Sequence, residues 1–177
     1  MRRYTVSHSP KNNSSLADFF AHKWINPKDI EQKSLELKNA GKTIATLNGS
    51  FDLLHAGHLS IIYAASQQAD VLIVALNSDS SIKKYKSLLR PIIPLEYRLQ
   101  MMAALAFVDY VTSFDEVAPI DILTKIKPNV HVNGSEYGEN CIEAETIKMY
   151  GGRIYIAELI PGLSTSNILK KISEICV

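Results

Sequence analysis

The sequence contains few cysteines and no long hydrophobic run. Its only cysteines are Cys141 and Cys176, which form no CxxC pair. This spacing argues against a zinc knuckle or a disulfide framework and suits a reducing compartment, so we expect a cytoplasmic protein. The apolar run at residues 71–76, like every other apolar run in the sequence, is far shorter than the ~20 residues that cross a bilayer. The N-terminus has no apolar segment of the kind found in secretory signals, and we expect no membrane association.

An excess of charge of one sign is also missing. The 19 Lys and Arg residues are balanced by 18 Asp and Glu residues, which leaves a net charge of +1. We therefore expect no bulk attraction to nucleic acid, and any phosphate ligand must be held by a local cluster. The hydrophobic fraction of 46% and the charged fraction of 21% are typical of a compact globular protein.

The apolar pattern predicts strands that alternate with helices. Five short apolar runs predict strands over residues 42–50, 71–78, 107–114, 129–135 and 153–159. Helices are predicted over residues 58–68, 95–106, 119–126, 142–150 and 166–175. This order indicates an α/β fold, a Rossmann-like doubly wound sheet of five mainly parallel strands with helices on both faces. Ligands of such sheets bind beyond the carboxyl ends of the strands.

A separate segment precedes the predicted sheet. Residues 1–41 combine a polar tail with a helical extension, and residues 42–177 form the main domain. In the extension, Leu16, Phe19 and Phe20 share one helical face, and a second helix over residues 28–40 ends at Gly41. We expect this extension to pack on the main domain.

The stretch FDLLHAGHLS, directly after the first predicted strand, carries two histidines. His55 and His58 could be ordinary core residues, or a metal pair, although zinc normally needs further ligands and none lies nearby in sequence. A phosphate site explains more of the local pattern. Gly49 permits close backbone approach, and Gly57 leaves room at a helix start whose free N–H groups favour an anion. Two imidazoles could then hold phosphate oxygens on which charge builds during phosphoryl transfer.

Several motifs occur in the order found in one enzyme superfamily. NGSFD and HAGH are followed by related stretches at residues 77–98, 104–116, 132–137 (VNGSEY) and 162–172 (GLSTSNILKKI). Together they resemble the HxGH nucleotidyltransferases, which transfer a nucleotidyl group from a nucleoside triphosphate to a phosphate and release pyrophosphate. The similarity is closest to the heptose-1-phosphate adenylyltransferase domain of the ADP-heptose synthases and covers about residues 42–173.

The resemblance implies roles for particular residues. The catalytic residues would be His55, His58 and Lys86. The nucleotide-binding residues would be Asn48, Gly49, Phe51, Gly57, Arg98, Gly134, Ser164, Thr165 and Ser166. The substrate-binding residues would be Asp52, Lys84, Arg90, Asn133 and Glu136. Three structural alternatives stand beside these roles: a solvated helix face for the lysines at 83, 84 and 86, a surface position for Arg98, and an N-cap of the last helix for the Ser-Thr-Ser turn.

Two residues depart from the family pattern. Where the heptose enzymes have VKGGDY, this chain has Asn133 for the lysine and Glu136 for the aspartate. The positive charge that is missing at Asn133 would mean a different acceptor, or compensation by Lys84 or another residue. The 177 residues also leave no room for the sugar kinase domain of the bifunctional synthases, so a separate kinase is expected upstream.

The resemblance implies in-line attack of a sugar 1-phosphate, with D-glycero-D-manno-heptose 1-phosphate the expected acceptor, on the α-phosphorus of ATP. The product would be an ADP-sugar for lipopolysaccharide core synthesis. Mg²⁺ is expected on the triphosphate, without a dedicated protein site, and the chain is expected to form a homo-oligomer. Two alternatives are a cytidylyltransferase that acts on glycerol 3-phosphate or a related alcohol phosphate, and a nucleotide-binding protein without catalytic activity.

Overall fold

The computed structural model describes residues 15, 18, 20–138 and 140–176, and within them it contains one parallel sheet. The strands are β1 (Ile44–Gly49), β2 (Val71–Asn77), β3 (Tyr110–Phe114), β4 (Val130–Gly134) and β5 (Arg153–Ala157). Their order is β3-β2-β1-β4-β5, and every pair is parallel. The predicted fold class is confirmed. The strand order reverses beside β1, so the carboxyl ends of β1 and β4 mark the expected ligand position.

Helices connect the strands. The α-helices of the described residues are α1 (Ile30–Asn39), α2 (Ala56–Ser66), α3 (Asp79–Tyr85), α4 (Leu95–Ala103), α5 (Ile120–Ile126), α6 (Ala144–Met149) and α7 (Thr165–Ile175). All the predicted helices of the main domain are present. No bounds were predicted for the short helix α3, although a solvated helix face was considered for the lysines near its end. In the structure Ser78 caps α3, and its Oγ accepts a hydrogen bond from the backbone N–H of Ser81 at 3.2 Å.

Apolar side chains fill both faces of the sheet. All seven residues of β2 are buried, which explains why this strand reads as a continuous apolar run. On one face, Leu47, Val74 and Val132 pack with residues of α2 and α4. On the other face, Ile44 and Ile73 pack with residues of α1, α5 and α6. The strands are thereby held rigidly, and their carboxyl ends form a fixed platform.

The segment before β1 packs on the sheet. The backbone N–H of Ile25 donates to the carbonyl of Val111 at 2.9 Å, so the chain runs along the edge strand β3. Ile25 and Ile30 are buried in the core. The helix α1 ends before Gly41, which has a positive φ of 74° as its stop position requires. Leu16 and Phe19 lie outside the described residues, and the division of the chain at residue 41 stays a prediction.

No helix in the described ranges has the length and apolar character that a membrane span requires.

Candidate active site

A tight turn at the end of β1 leads into the histidine motif. Phe51 has a positive φ of 45°, which is uncommon for a residue with a side chain, and its ring is buried. The ring lies over Gly49, where a Cβ atom would come within 3.1 Å of it. Glycine at position 49 therefore allows Phe51 to fold back and lets the chain turn towards α2.

The two histidines form a stacked pair at the start of α2. His55 is the N-cap, and its Nδ1 accepts a hydrogen bond from the backbone N–H of His58 at 3.3 Å. The ring centroids are 3.8 Å apart with an interplanar angle of 24°. A Cβ atom at Gly57 would lie 3.0 Å from the His55 ring, so glycine between the histidines makes room for the stack. Because Nδ1 is an acceptor, neutral His55 carries its proton on Nε2.

Both imidazoles favour the neutral form. Burial lowers the pKa of His55. Burial, followed by the neighbouring charges of His55 and Lys86, lowers the pKa of His58 to about 4. At neutral pH each ring is therefore neutral and has one N–H group that can donate to an anionic ligand.

Three buried polar atoms of this region have no hydrogen-bond partner among the described residues. They are His55 Nε2, His58 Nδ1 and Asn48 Oδ1. An unpaired buried polar atom costs about 1–3 kcal/mol, so their clustering at the end of β1 indicates a place where a ligand supplies the missing partners. The core alternative for the histidines is wrong, because both residues line a cleft. The metal alternative for the two histidines lacks further ligands, because no group of three His, Cys, Asp or Glu side chains suited to a metal occurs in the described part of the chain.

The cleft has a volume of about 310 Å³ and lies where β1, β4, α2 and α7 meet. It brings together most of the predicted site residues, which come from four separate motifs of the sequence. These are Asn48, Gly49, Phe51, His55, Gly57, His58, Lys86, Asn133, Gly134, Glu136, Ser164, Thr165 and Ser166.

Lys86 reaches the cleft from the end of α3. Its Nζ donates a hydrogen bond to Ser50 Oγ at 2.9 Å. Burial, followed by the nearby charge of Arg90, lowers the pKa of Lys86. Lys84 is exposed on α3 and is not among the cleft residues, which agrees with the solvated face considered for it.

The hydroxyl-rich turn lies at the start of α7. Ser164 Oγ accepts a hydrogen bond from the backbone N–H of Asn167 at 3.1 Å, so the predicted cap is present. The preceding Leu163 has its Cβ only 3.3 Å from where a Gly57 Cβ would lie. The starts of α2 and α7 are thus neighbours, and both can direct N–H groups at one anion.

Three predicted binding residues turn away from the cleft. Asp52 is buried and accepts hydrogen bonds from Arg90 Nε at 2.6 Å and from the backbone N–H groups of Ile92 and Ile93. Arg98 has no exposed surface, so the surface alternative is wrong. The structure does not place Asp52, Arg90 or Arg98 on the cleft, because their polar groups bind protein atoms behind it.

The side of the cleft at β4 carries the two departures from the family pattern. Asn133 Nδ2 donates to Oε2 of buried Glu143 at a long distance of 3.4 Å. Glu136 is exposed beside Tyr137, whose pKa is raised by burial and by the charges of Glu136 and Glu143. Cleft residues that the sequence did not single out are Leu47, Ser50, Ile61, Tyr137, Leu159, Ile160 and Leu163. Most are apolar, and nothing in their spacing separates them from core residues.

A sequence model of the cytidylyltransferase-like family matches residues 46–173, which include every motif of the cleft. The chain belongs to the cytidylyltransferase-like family. It is therefore a nucleotidyltransferase, as the histidine motif and its neighbouring residues predicted.

Relatives in this family include proteins called bifunctional protein HldE. The one from Campylobacter concisus is 38% identical over 163 residues, which are 92% of this chain and 33% of the relative. The one from Pelobacter propionicus is 35% identical over 165 residues, again 92% of this chain and 34% of the relative. The chain thus spans about a third of the length of these curated relatives.

Two solved structures are similar in fold. A lipopolysaccharide core biosynthesis protein from Thermoplasma volcanium has a TM-score of 0.56 and 25% identity, with 68% of this chain and 98% of that chain covered. A pantoate-beta-alanine ligase from Francisella tularensis, complexed with beta-gamma ATP and beta-alanine, has a TM-score of 0.61 and 19% identity, with 84% and 72% covered. The second likeness shows the shared fold alone.

Proposed function

We propose that the chain transfers AMP from ATP to a sugar 1-phosphate, with D-glycero-D-manno-heptose 1-phosphate as the expected acceptor, and releases pyrophosphate. The observation that carries the proposal is the stacked His55–His58 pair with unpaired ring nitrogens, in one cleft with Lys86 and the hydroxyl turn of α7. The choice of ATP and heptose rests on the motif resemblance and on the similarity to the HldE proteins. A product for lipopolysaccharide core synthesis agrees with the name of the Thermoplasma structure.

The reaction needs charge neutralisation more than proton transfer. An oxygen of the acceptor phosphate attacks the α-phosphorus, the bond to the β-phosphate oxygen breaks, and pyrophosphate leaves with the electron pair. The acceptor oxygen is already anionic at neutral pH, so no general base is required. Positioning and electrostatic stabilisation then supply the acceleration.

Each cleft element has a place in this scheme. The N–H groups of His55 and His58 donate to non-bridging phosphate oxygens, on which negative charge accumulates. Lys86 adds a positive charge to the same cleft. The hydroxyls of Ser164 to Ser166 and the free N–H groups at the start of α7 bind the remaining phosphates.

Mg²⁺ would neutralise charge on the triphosphate and would be held mainly by phosphate oxygens and water. The donors that the described cleft residues offer are imidazoles, a lysine, hydroxyls and amides, with Glu136 as the one carboxylate. This donor set suits a metal that arrives with the nucleotide, and Glu136 is the side chain that could contact it.

A panel of substrates tests the proposal. Purified protein is incubated with ATP, CTP, GTP or UTP and with heptose 1-phosphate, glucose 1-phosphate or glycerol 3-phosphate, and pyrophosphate release is measured. We expect the highest rate with ATP and heptose 1-phosphate. Release only with CTP and glycerol 3-phosphate would establish the cytidylyltransferase instead, and ATP binding without release on any acceptor would indicate a non-catalytic protein.

A further inference from the structure

Arg98 is a fully buried arginine that joins several parts of the chain behind the cleft. Arg98 lies on α4, and its Nη1 donates to the carbonyl oxygens of Ser50 at 2.6 Å and Asn77 at 3.0 Å. Ser50 follows β1, and Asn77 is the last residue of β2. Its Nη2 donates to Asp79 Oδ1 at 2.6 Å, and its Nε donates to the carbonyl of Ile93 at 2.9 Å. One side chain therefore ties two strand ends, the start of α3 and the loop after it.

Asp52 holds the same loop from the opposite direction. Its Oδ1 accepts hydrogen bonds from the backbone N–H groups of Ile92 at 2.9 Å and Ile93 at 2.8 Å, and its Oδ2 forms an ion pair with Arg90. Both Asp52 and Arg98 thus bind the chain at Ile93. We refer to Asp52, Asp79, Arg90 and Arg98 as the loop-anchoring network.

The network is linked to the hydrogen bond between the Lys86 amine and Ser50. Lys86 is the C-cap of α3, whose first residue is Asp79, and its Nζ donates to Ser50 Oγ. Arg98 binds both Asp79 and the main-chain oxygen of Ser50. The side chain of Arg98 therefore binds Ser50 directly and binds the first residue of the helix that Lys86 caps.

A direct role of Arg98 in ligand binding does not fit this geometry. Each nitrogen of its guanidinium already donates to a protein acceptor at 3.0 Å or less, and no part of it is exposed. Removing it would leave several buried acceptors unpaired, which is costly, and a shorter or narrower cation could not span them.

We propose that Arg98 is a positioning residue that acts through Lys86: by tying α3 and the end of β1 together, it holds the Lys86 amine in the cleft that the His55–His58 pair also lines. The inference rests on the proposed role of Lys86 in binding the triphosphate. Asp79 is the member of the network that carries this constraint into α3.

A double-mutant cycle tests whether Arg98 acts through Lys86. The affinity for MgATP is measured by calorimetry for the wild type, Arg98→Lys, Lys86→Ala and the double variant. We expect each single variant to bind about tenfold more weakly, and the double variant to bind no more weakly than Lys86→Ala. Independent losses that multiply to about a hundredfold would overturn the proposal, and so would unchanged affinity of Arg98→Lys.

A matched control separates positioning from stability. Lys38 also donates to two main-chain carbonyls, those of Ile126 and Lys127, but these precede β4 and so lie at the amino ends of the strands, away from the cleft. Lys38→Met should lower the unfolding temperature without changing MgATP affinity. If Arg98→Lys does not fold, Asp79→Asn removes the negative charge of one of the four acceptors and should weaken MgATP binding about threefold, again only while Lys86 is present.

Chemical labelling provides a readout that needs no nucleotide. The pH dependence of acetylation by acetic anhydride is followed for Lys86 by mass spectrometry, with the exposed Lys83 and Lys84 as internal references. In Arg98→Lys the Lys86 midpoint should shift to higher pH, because the amine moves away from the desolvation and the charge of Arg90 that lower its pKa. An unchanged midpoint would overturn the positioning role even if adenylyl transfer is confirmed. If the wild type does not bind MgATP but the Lys86 midpoint still shifts in Arg98→Lys, the proposed function alone is refuted.

Discussion

The His55–His58 pair at the start of α2 and His131 within β4 are histidines in two different settings, and burial lowers the pKa of each. His131 lies within β4, is completely buried, and its Nδ1 shares a hydrogen bond with Thr46 Oγ1 at 2.8 Å. Burial lowers its pKa to about 3, further than that of His58, which is about 4. Each of the three rings also has one nitrogen without a partner among the described residues.

The difference between the two regions lies in position, and neither the pKa nor the unpaired nitrogen reveals it. His131 is enclosed by the sheet and its helices, whereas His55 and His58 lie beyond the end of β1 and line the cleft. A depressed pKa reports burial alone in the first case and burial beside a binding site in the second. Of the two regions, the cleft pair alone has a glycine, Gly57, that makes room for a second ring.

Substitution of the cleft histidines should have the largest effect. His55→Ala and His58→Ala each remove a donor to the developing phosphate charge, so kcat should fall by about 10² to 10³. His131→Gln should keep kcat within about twofold, because that ring does not reach the cleft. Pyrophosphate release measures the rates, and thermal unfolding shows that each variant is folded. Near-normal turnover of a folded His58→Ala would remove the pair from the mechanism.

Acid should destabilise the protein mainly through His131. A histidine whose folded pKa is lowered binds protons only in the unfolded chain between its two pKa values, so stability is complete above about pH 6.5 and is lost as the pH falls. For His131 the free energy of unfolding should be about 2 kcal/mol lower at pH 5 than at pH 7. His58 adds a smaller loss because it is only partly buried. Urea unfolding at several pH values measures the slope.

His131→Gln should flatten that slope more than His58→Ala does. Equal slopes in the wild type and in His131→Gln would contradict the assignment of the acid sensitivity to the enclosed ring.

Replacement of Lys86 should have a moderate effect on binding. Lys86→Ala should raise the KM for ATP about tenfold with little change in the unfolding temperature, because a charged hydrogen bond to phosphate is lost. Lys84→Ala is the matched control on the same helix and should leave KM unchanged. The opposite ranking of the two variants would assign Lys86 to the solvated face.

The smallest effect is expected at the start of α7, where the cap and the phosphate contact coincide. Ser164→Ala should cost about 1 kcal/mol of stability, whereas Ser164→Gly should cost only a few tenths, because glycine is also a good N-cap. Both variants should weaken ATP binding several-fold if the hydroxyl contacts phosphate. Full affinity in the stable glycine variant would leave Ser164 as a helix cap only.

Local patterns predicted the cleft well, since its main residues belong to motifs with a clear physical reason. Gly49 and Gly57 mark close approaches, and the turn at residues 164–166 combines hydroxyls with a helix start. The network behind the cleft could not be predicted in this way. Arg98 follows Leu95 on an amphipathic helix, and only the folded chain brings Ser50, Asn77 and Asp79 to its guanidinium. The same holds for Asp52, whose partners lie about 40 residues away.

Some expectations concern matters beyond a single chain. The homo-oligomer, the separate sugar kinase and the cytoplasmic location stay predictions, because they depend on surfaces, partners and compartments that local sequence patterns do not encode.

The most direct test of the central claim compares all three histidines in one titration. Imidazole ¹⁵N resonances are assigned through His55→Gln, His58→Gln and His131→Gln and are followed as MgATP is added at pH 7. We predict that the His55 and His58 resonances shift at saturation, as their N–H groups acquire phosphate partners, while His131 does not move. MgATP binding that leaves both cleft histidines unperturbed would contradict the account.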